Sequence, residues 1–338
     1  MKRSRSNSPR ILALSAMAVA AGVSLCLTAS ASAAMNAADN ASNYTSGTWP
    51  NGGTPPNGGT GFGAWTISTQ NNSAPPYTGT YFNTNNVSIA TSSDAWGTYA
   101  NSGSPSATPR VDLYRPFTGS LSVGQTFSVA LTSAGVGSYP PNGLPAYGFS
   151  LDSAAPSLTL GTVPVTVGNG SLTTAANYTD ANSLFSLSFN ELGAPTGNVS
   201  QNLVAYNGQS QGNSASSGTY VLETNIAANG TTTSTLTGLT DAQLNAGVIA
   251  NFTLGAGNSY SLTLTTAGAT PTVLVGPISG TLAAGAINGA DLFDQNTYQD
   301  GLFNSLAISS TSTPEPASLA LIGVSGAVLL LARRRKTA

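Results

Sequence analysis

The residues best suited to chemistry lie late in the chain, in Asp291-Leu-Phe-Asp294-Gln-Asn296-Thr-Tyr-Gln-Asp300-Gly301. Asp291, Asp294, Asn296 and Asp300 offer hard oxygen ligands of the kind Ca²⁺ takes. The spacing is not that of an EF-hand loop, and a plain acidic turn ahead of the last strand is the competing reading. Glu191 and Glu223 are the only glutamates between Ala34 and Thr313. A glycosidase needs two carboxyls about 5 to 10 Å apart across a cleft, but solvated carboxylates at strand ends account for this pair more simply.

Aromatic side chains are the second resource, because their faces stack on the C–H face of a pyranose. Trp49, Tyr77, Tyr81 and Tyr139 are candidates for such a sugar platform. Trp65 and Trp96 lie in strand-like context and read as core.

The chain has no histidine, and its single cysteine, Cys26, falls in the N-terminal apolar stretch. Ser-His and Cys-His catalysis and most zinc and copper sites are therefore closed. No Gly-x-x-x-x-Gly-Lys-Ser/Thr loop is present to cradle phosphate. These residues point to a protein that is not an enzyme and needs no cofactor, Ca²⁺ being the one ion with candidate ligands.

Charge narrows the partners further. From Ala34 to Thr313 the basic residues are Arg110 and Arg115 alone, against eleven acidic ones, a net charge of −9. Nucleic acid is excluded as a partner, since neutralising phosphates takes clustered Lys and Arg. Ser, Thr, Asn and Gly supply the polar surface in place of charges.

The elements that must position these residues read as strands. Phe127, Val129 and Leu131 alternate with polar or small neighbours, as do Phe185, Leu187 and Phe189, and again Tyr260, Leu262 and Leu264. Period-two alternation places one set of side chains on one face of a sheet. Further strands are expected at 65–68, 87–90, 146–151, 157–160, 163–167, 218–223, 248–254, 272–275 and 305–309. Helical patterning inside the body is confined to one short turn at 240–244. Many short strands bounded by Gly, Asn and Pro predict an all-β sandwich or barrel. Residues 126–135 and 259–268 echo each other in sequence, which suggests paired strands in facing sheets.

Both ends carry addresses. Residues 1–33 form a signal peptide: Lys2, Arg3, Arg5 and Arg10, an apolar core from Ile11 to Leu27, and small residues Ala31 and Ala33 at the −3 and −1 positions of a signal peptidase site. Ala29-Ser30-Ala31 is an alternative cut. Residues 34–61, rich in Gly, Asn and Pro, read as a flexible leader or an extended edge strand. The sandwich domain is expected over 62–309 and a C-terminal signal over 310–338.

That signal has three parts: Pro314-Glu315-Pro316, an uncharged run from Ala317 to Ala332, and Arg333-Arg334-Arg335-Lys336. As a helix the run spans roughly 24 Å, a short crossing of a bilayer core. The following basic cluster would stay cytoplasmic and leave the body outside. A plain membrane anchor is one reading. The tripartite order, however, resembles a PEP-CTERM sorting signal. That resemblance implies export by the secretory pathway, transient anchoring in the inner membrane of a Gram-negative-type, exopolysaccharide-making bacterium, and cleavage near Pro316 by an exosortase. Release to the cell surface or extracellular matrix would follow, with extracellular polysaccharide as a further partner. The motif residues are then substrate, not catalyst.

A second resemblance rests on Trp96-Gly97-Thr98-Tyr99-Ala100-Asn101, Tyr114-Arg115-Pro116-Phe117, Val123-Gly124-Gln125-Thr126-Phe127, Tyr147 to Leu151 and Leu302 to Ile308. The order is similar to that of lectin-like, concanavalin-type jelly-roll domains in PEP-CTERM surface proteins. It implies a fold and no binding site.

Overall fold

Short alternating segments with glycine and asparagine at their ends can bury apolar side chains only by pairing into sheets and stacking those sheets. The computed structural model shows this arrangement. It describes residues 36–49, 55–70, 77–85, 88–89, 94–101, 109–133, 146–166, 172–191, 219–226, 231–233, 239–240, 243, 246–268, 270–282, 284–295 and 300–310. The expected signal peptide, residues 1–33 with Ala31 and Ala33, lies outside them. So does the tail from 311 onward, with Pro314, Glu315, Pro316, the 317–332 run, Arg333, Arg334 and Arg335.

The described strands are β1 (Ala37–Asp39), β2 (Thr66–Gln70), β3 (Tyr77–Asn83), β4 (Ala95–Asn101), β5 (Arg110–Pro116), β6 (Gln125–Ser133), β7 (Ala146–Asp152), β8 (Leu158–Thr166) and β9 (Leu172–Asp180). They continue with β10 (Ser183–Glu191), β11 (Thr219–Ile226), β12 (Thr231–Thr233), β13 (Leu239–Thr240), β14 (Val248–Leu254), β15 (Ser259–Thr266), β16 (Val273–Thr281), β17 (Gly289–Gln295) and β18 (Gly301–Ser310). The first sheet runs β16-β15-β14-β6-β18-β4-β3, with β1 also paired to β18. The second runs β12-β11-β10-β7-β17-β5-β2, with β13 on β11, and β8 pairs with β9 as a separate hairpin. Every recorded pairing is antiparallel. The chain crosses repeatedly between sheets and returns to their centres with β17 and β18. This is an all-β jelly-roll sandwich.

A file of rings joins the two layers. Phe127 of the first sheet meets Phe149 of the second at 5.6 Å, and Phe149 meets Phe185 at 5.9 Å. Phe185 crosses back to Phe252 at 4.7 Å, and Phe252 stacks on Tyr260 at 5.4 Å. All five are buried. The alternation in β14 and β15 is therefore the inward face of the first sheet. The two echoing stretches are β6 and β15, which flank β14 within one sheet. They are not paired across the sandwich, because their shared composition reflects a shared inward face.

Of the two readings of residues 34–61, the described part follows the extended strand and not the flexible leader. That part is built into the body, and residues 35–310 form one compact unit. β1 pairs with Leu306–Ile308 of β18, where β4, paired at Gly301–Phe303, has ended. Between these two pairings, Ser305 takes φ 56° and the register with β6 shifts. The buried Asn304 side chain accepts from the Ala41 and Ser305 amides and donates to the Asp94 carbonyl. Asp39 at the end of β1 is buried against Arg115, with Nη2 to Oδ2 at 2.8 Å. Gly59 passes at φ +74°, where a Cβ would stand 2.5 Å from the Ala38 carbonyl oxygen. The glycine composition thus serves close packing against β1, not looseness. The sandwich begins near residue 35 instead of 62.

Candidate functional site

Strands β3 and β4 build a site at one edge of the first sheet. Their register sets Tyr81 opposite Gly97 and Gly79 opposite Tyr99, so Tyr81 and Tyr99 share a face. Phe82 and Trp96 are paired on the opposite face. Gly97 leaves room for its neighbour's ring: a Cβ there would approach the Tyr81 ring to 2.5 Å. The Tyr81 and Tyr99 rings lie 6.3 Å apart, tilted by 44°, and both are half-buried.

The Tyr81 hydroxyl donates to Asp300 Oδ2 at 2.8 Å. Burial, reinforced by the Asp300 charge, pushes the Tyr81 pKa above its ordinary value, so the hydroxyl stays a donor. Burial likewise raises Asp300, against the lowering effect of the Tyr81 bond. Together with Ser46, Trp49, Thr80 and Phe82, these residues line an open groove of about 470 Å³.

The sugar-platform residues therefore separate. Tyr81 is half-exposed in the groove. Trp49 is only 4% exposed and is not an open platform. It packs edge-on to Tyr44 at 5.3 Å and Trp65 at 5.6 Å and stacks on Trp96 at 6.0 Å, leaving a rim of indole in the groove wall. Tyr77 opens β3 with its side chain outside the described set, and Tyr139 lies outside the described residues. Trp65 and Trp96 are core, as their strand context suggested.

The proposed calcium ligands separate as well. Asp291 and Asp294 sit three residues apart on β17, a strand where a turn was expected, and odd spacing sends them to opposite faces. Asp294 is buried between the sheets and accepts from the Thr98 hydroxyl and the Gly301 amide, both at 3.3 Å. Asp300 is engaged by Tyr81, and Asn296 lies outside the described residues. Among the described residues, no three His, Cys, Asp or Glu side chains gather to hold a metal. The described part of this set is not one cation site.

Asp291 belongs to a buried polar cluster on the outer face of the second sheet. Arg110 Nε donates to Asp112 Oδ1 at 2.7 Å, Nη2 reaches Asp291 Oδ2 at 3.5 Å, and the guanidinium covers the Phe293 ring at 4.5 Å. Asp152 and Asp180 complete the cluster. Asp152 and Asp291 are fully buried, and Asp291 Oδ1 and both Asp152 oxygens form no well-aligned hydrogen bond. Burial and then Asp180 push Asp152 well above the usual carboxylate range, and burial and then Asp112 do so for Asp291. The residue-type search missed Tyr99, Arg110 and Asp152. Tyr99 stands in the same alternation as Gly97, so its face was readable, but its neighbour on β3 was not.

The tail supplies the deciding comparison. Residues 312–336 match the family model of the PEP-CTERM protein-sorting motif. The chain carries a PEP-CTERM sorting motif. This motif begins at residue 312, two positions after Ser310, the last residue of β18.

Among solved structures, the chain is similar to a GH131 beta-glucanase catalytic domain from Podospora anserina, with 11% identity, TM-score 0.37, and 71% of this chain and 82% of that one covered. It is similar to a lectin from Bauhinia forficata in complex with GalNAc, with 10% identity, TM-score 0.37, and coverage of 82% and 99%. It is also similar to peanut lectin, with 10% identity, TM-score 0.36, and coverage of 83% and 100%. No curated protein matches the chain. Among the described residues, no helix is long and apolar enough to cross a membrane.

Proposed function

We propose that this is a secreted, non-catalytic surface or exopolysaccharide-associated protein with a structural or adhesive role. An exosortase-type membrane enzyme would act on it at Pro314-Glu315-Pro316 after signal peptidase has removed residues 1–33. The observation that carries this reading is the PEP-CTERM motif at 312–336, set directly behind the last strand of the sandwich. The protein passes through the inner membrane on its tail and ends at the cell surface or in the matrix.

Within that reading, the groove favours carbohydrate binding as the adhesive element. Tyr81 and Tyr99 present two rings on one strand face, and Asp300 adds a hydrogen-bond acceptor beside them. This combination suits a sugar's C–H face and hydroxyl rim. Replacing Pro314-Glu315-Pro316 by three alanines in the native host tests the sorting step. The expected outcome is uncut protein accumulating in the inner-membrane fraction. Release of the variant at the wild-type level would contradict the reading.

A further inference from the structure

We infer that the groove between Tyr81, Tyr99 and Asp300 takes a neutral polysaccharide segment and discriminates against uronate-bearing polysaccharides. The inference rests on the carbohydrate-binding reading above and adds the class of sugar.

Three observations carry it. The first is preorganisation. Tyr81 is held over Gly97 and tied through its hydroxyl to Asp300, so its ring loses little freedom on stacking. The second is the polar complement. Asp300 offers carboxylate oxygen and no positive group, which suits hydroxyl donors of a sugar and opposes another carboxylate. The third is the charge of the whole body. Arg110 and Arg115 are the only basic residues from Ala34 to Thr313, and both are buried. Arg110 is engaged by Asp112 and Asp291, and Arg115 by Asp39. An acidic polysaccharide meets a body of net charge −9 with neither arginine exposed to pair its carboxylates. Electrostatic complementarity, the usual route to binding such a polymer, is closed.

Affinity electrophoresis of the compact body without residues 1–33 and 314–338, through native gels containing dextran, barley β-glucan, galactomannan or alginate at 0.15 M salt, tests this. Retardation is expected in at least one neutral gel and not in alginate. Tyr81→Ala and Tyr99→Ala should each weaken that retardation about tenfold, the loss of roughly one ring contact. Tyr81→Phe keeps the ring over Gly97 and should retain most of the binding. Thermal melts of each variant separate lost binding from lost fold, and Tyr99→Ala decides if Tyr81→Ala unfolds.

Retardation by alginate as strong as by the neutral polymers would overturn the inference while leaving a carbohydrate-binding protein. So would neutral binding untouched by both alanine variants. Hexalysine that displaced the bound glycan at this salt would mark a cationic occupant instead and overturn it too. No retardation in any gel removes the carbohydrate-binding reading itself.

Discussion

Burial raises the pKa of Asp152 and Asp291 well above the usual carboxylate range, which predicts an unusual response of the sandwich to pH. Both are fully buried beside other carboxylates, with one guanidinium, that of Arg110, in the cluster. Asp39 and Asp300 are raised as well, chiefly by burial. Each has a folded pKa above its unfolded value, so the stability it contributes is complete below the ordinary value of 3.8 and is lost as pH rises through the folded value. Each such group steepens the decline by up to about 1.4 kcal/mol per pH unit while it titrates. Calorimetric melts taken upward from pH 4 should show Tm falling, and Asp152→Asn should flatten that fall. A wild-type Tm that climbs steadily over the same range would refute this assignment. None of this was visible in the sequence. Asp112 lies two residues from Arg110, but Asp152, Asp180 and Asp291 are distant along the chain, and the β5-β17-β7 register and the β9-β10 turn bring them near it.

The elements differ in how openly the sequence announced them. β6, β10, β14 and β15 alternate plainly because one face is core and the other is wet. β5 and β17 are buried along nearly their whole length and carry Arg, Asp and Gln among their apolar residues, so no period-two signal survives. The acidic run in β17 therefore read as a turn with calcium ligands. β8 appeared as two strands split at Gly161 and Thr162, whereas Leu158–Thr166 pairs without interruption with β9.

The polar composition around β1 fitted a flexible leader and an extended edge strand alike. β1 is anchored by Arg115, whose Nη2 donates to Asp39, while Tyr44 donates to Asp39 and accepts from Trp65 Nε1. The Arg115 guanidinium also lies 4.9 Å over the Trp65 ring. Removing one partner of such a buried pair strands the other, at a cost of about 3–5 kcal/mol. Arg115→Met should lower the urea midpoint accordingly and expose the 36–49 segment to protease ahead of global unfolding. A midpoint within error of wild type would show that this segment is not integral to the body.

At the scale of the whole molecule, the groove lies at the start of β18, and the strand runs from there to Ser310. Asp300 precedes β18 and Ser310 closes it, a separation of about 30 Å along the strand. Ser310, the last described residue before the PEP-CTERM motif, is thus remote along β18 from Asp300 of the groove. The C-terminal sorting motif was the most legible part of the chain, because such an address is written as linear sequence. The groove was half legible: Tyr81 and Asp300 could be named as chemistry-bearing residues, but their meeting depends on β3 and β18 flanking β4.

The most direct test of the account is the intact mass of the protein recovered from the surface or matrix of its native host. The predicted mass is that of a chain beginning at residue 32 or 34 and ending near Pro316. A membrane-held product that still carries Arg333 to Lys336 would contradict sorting by cleavage and establish a permanent anchor in its place.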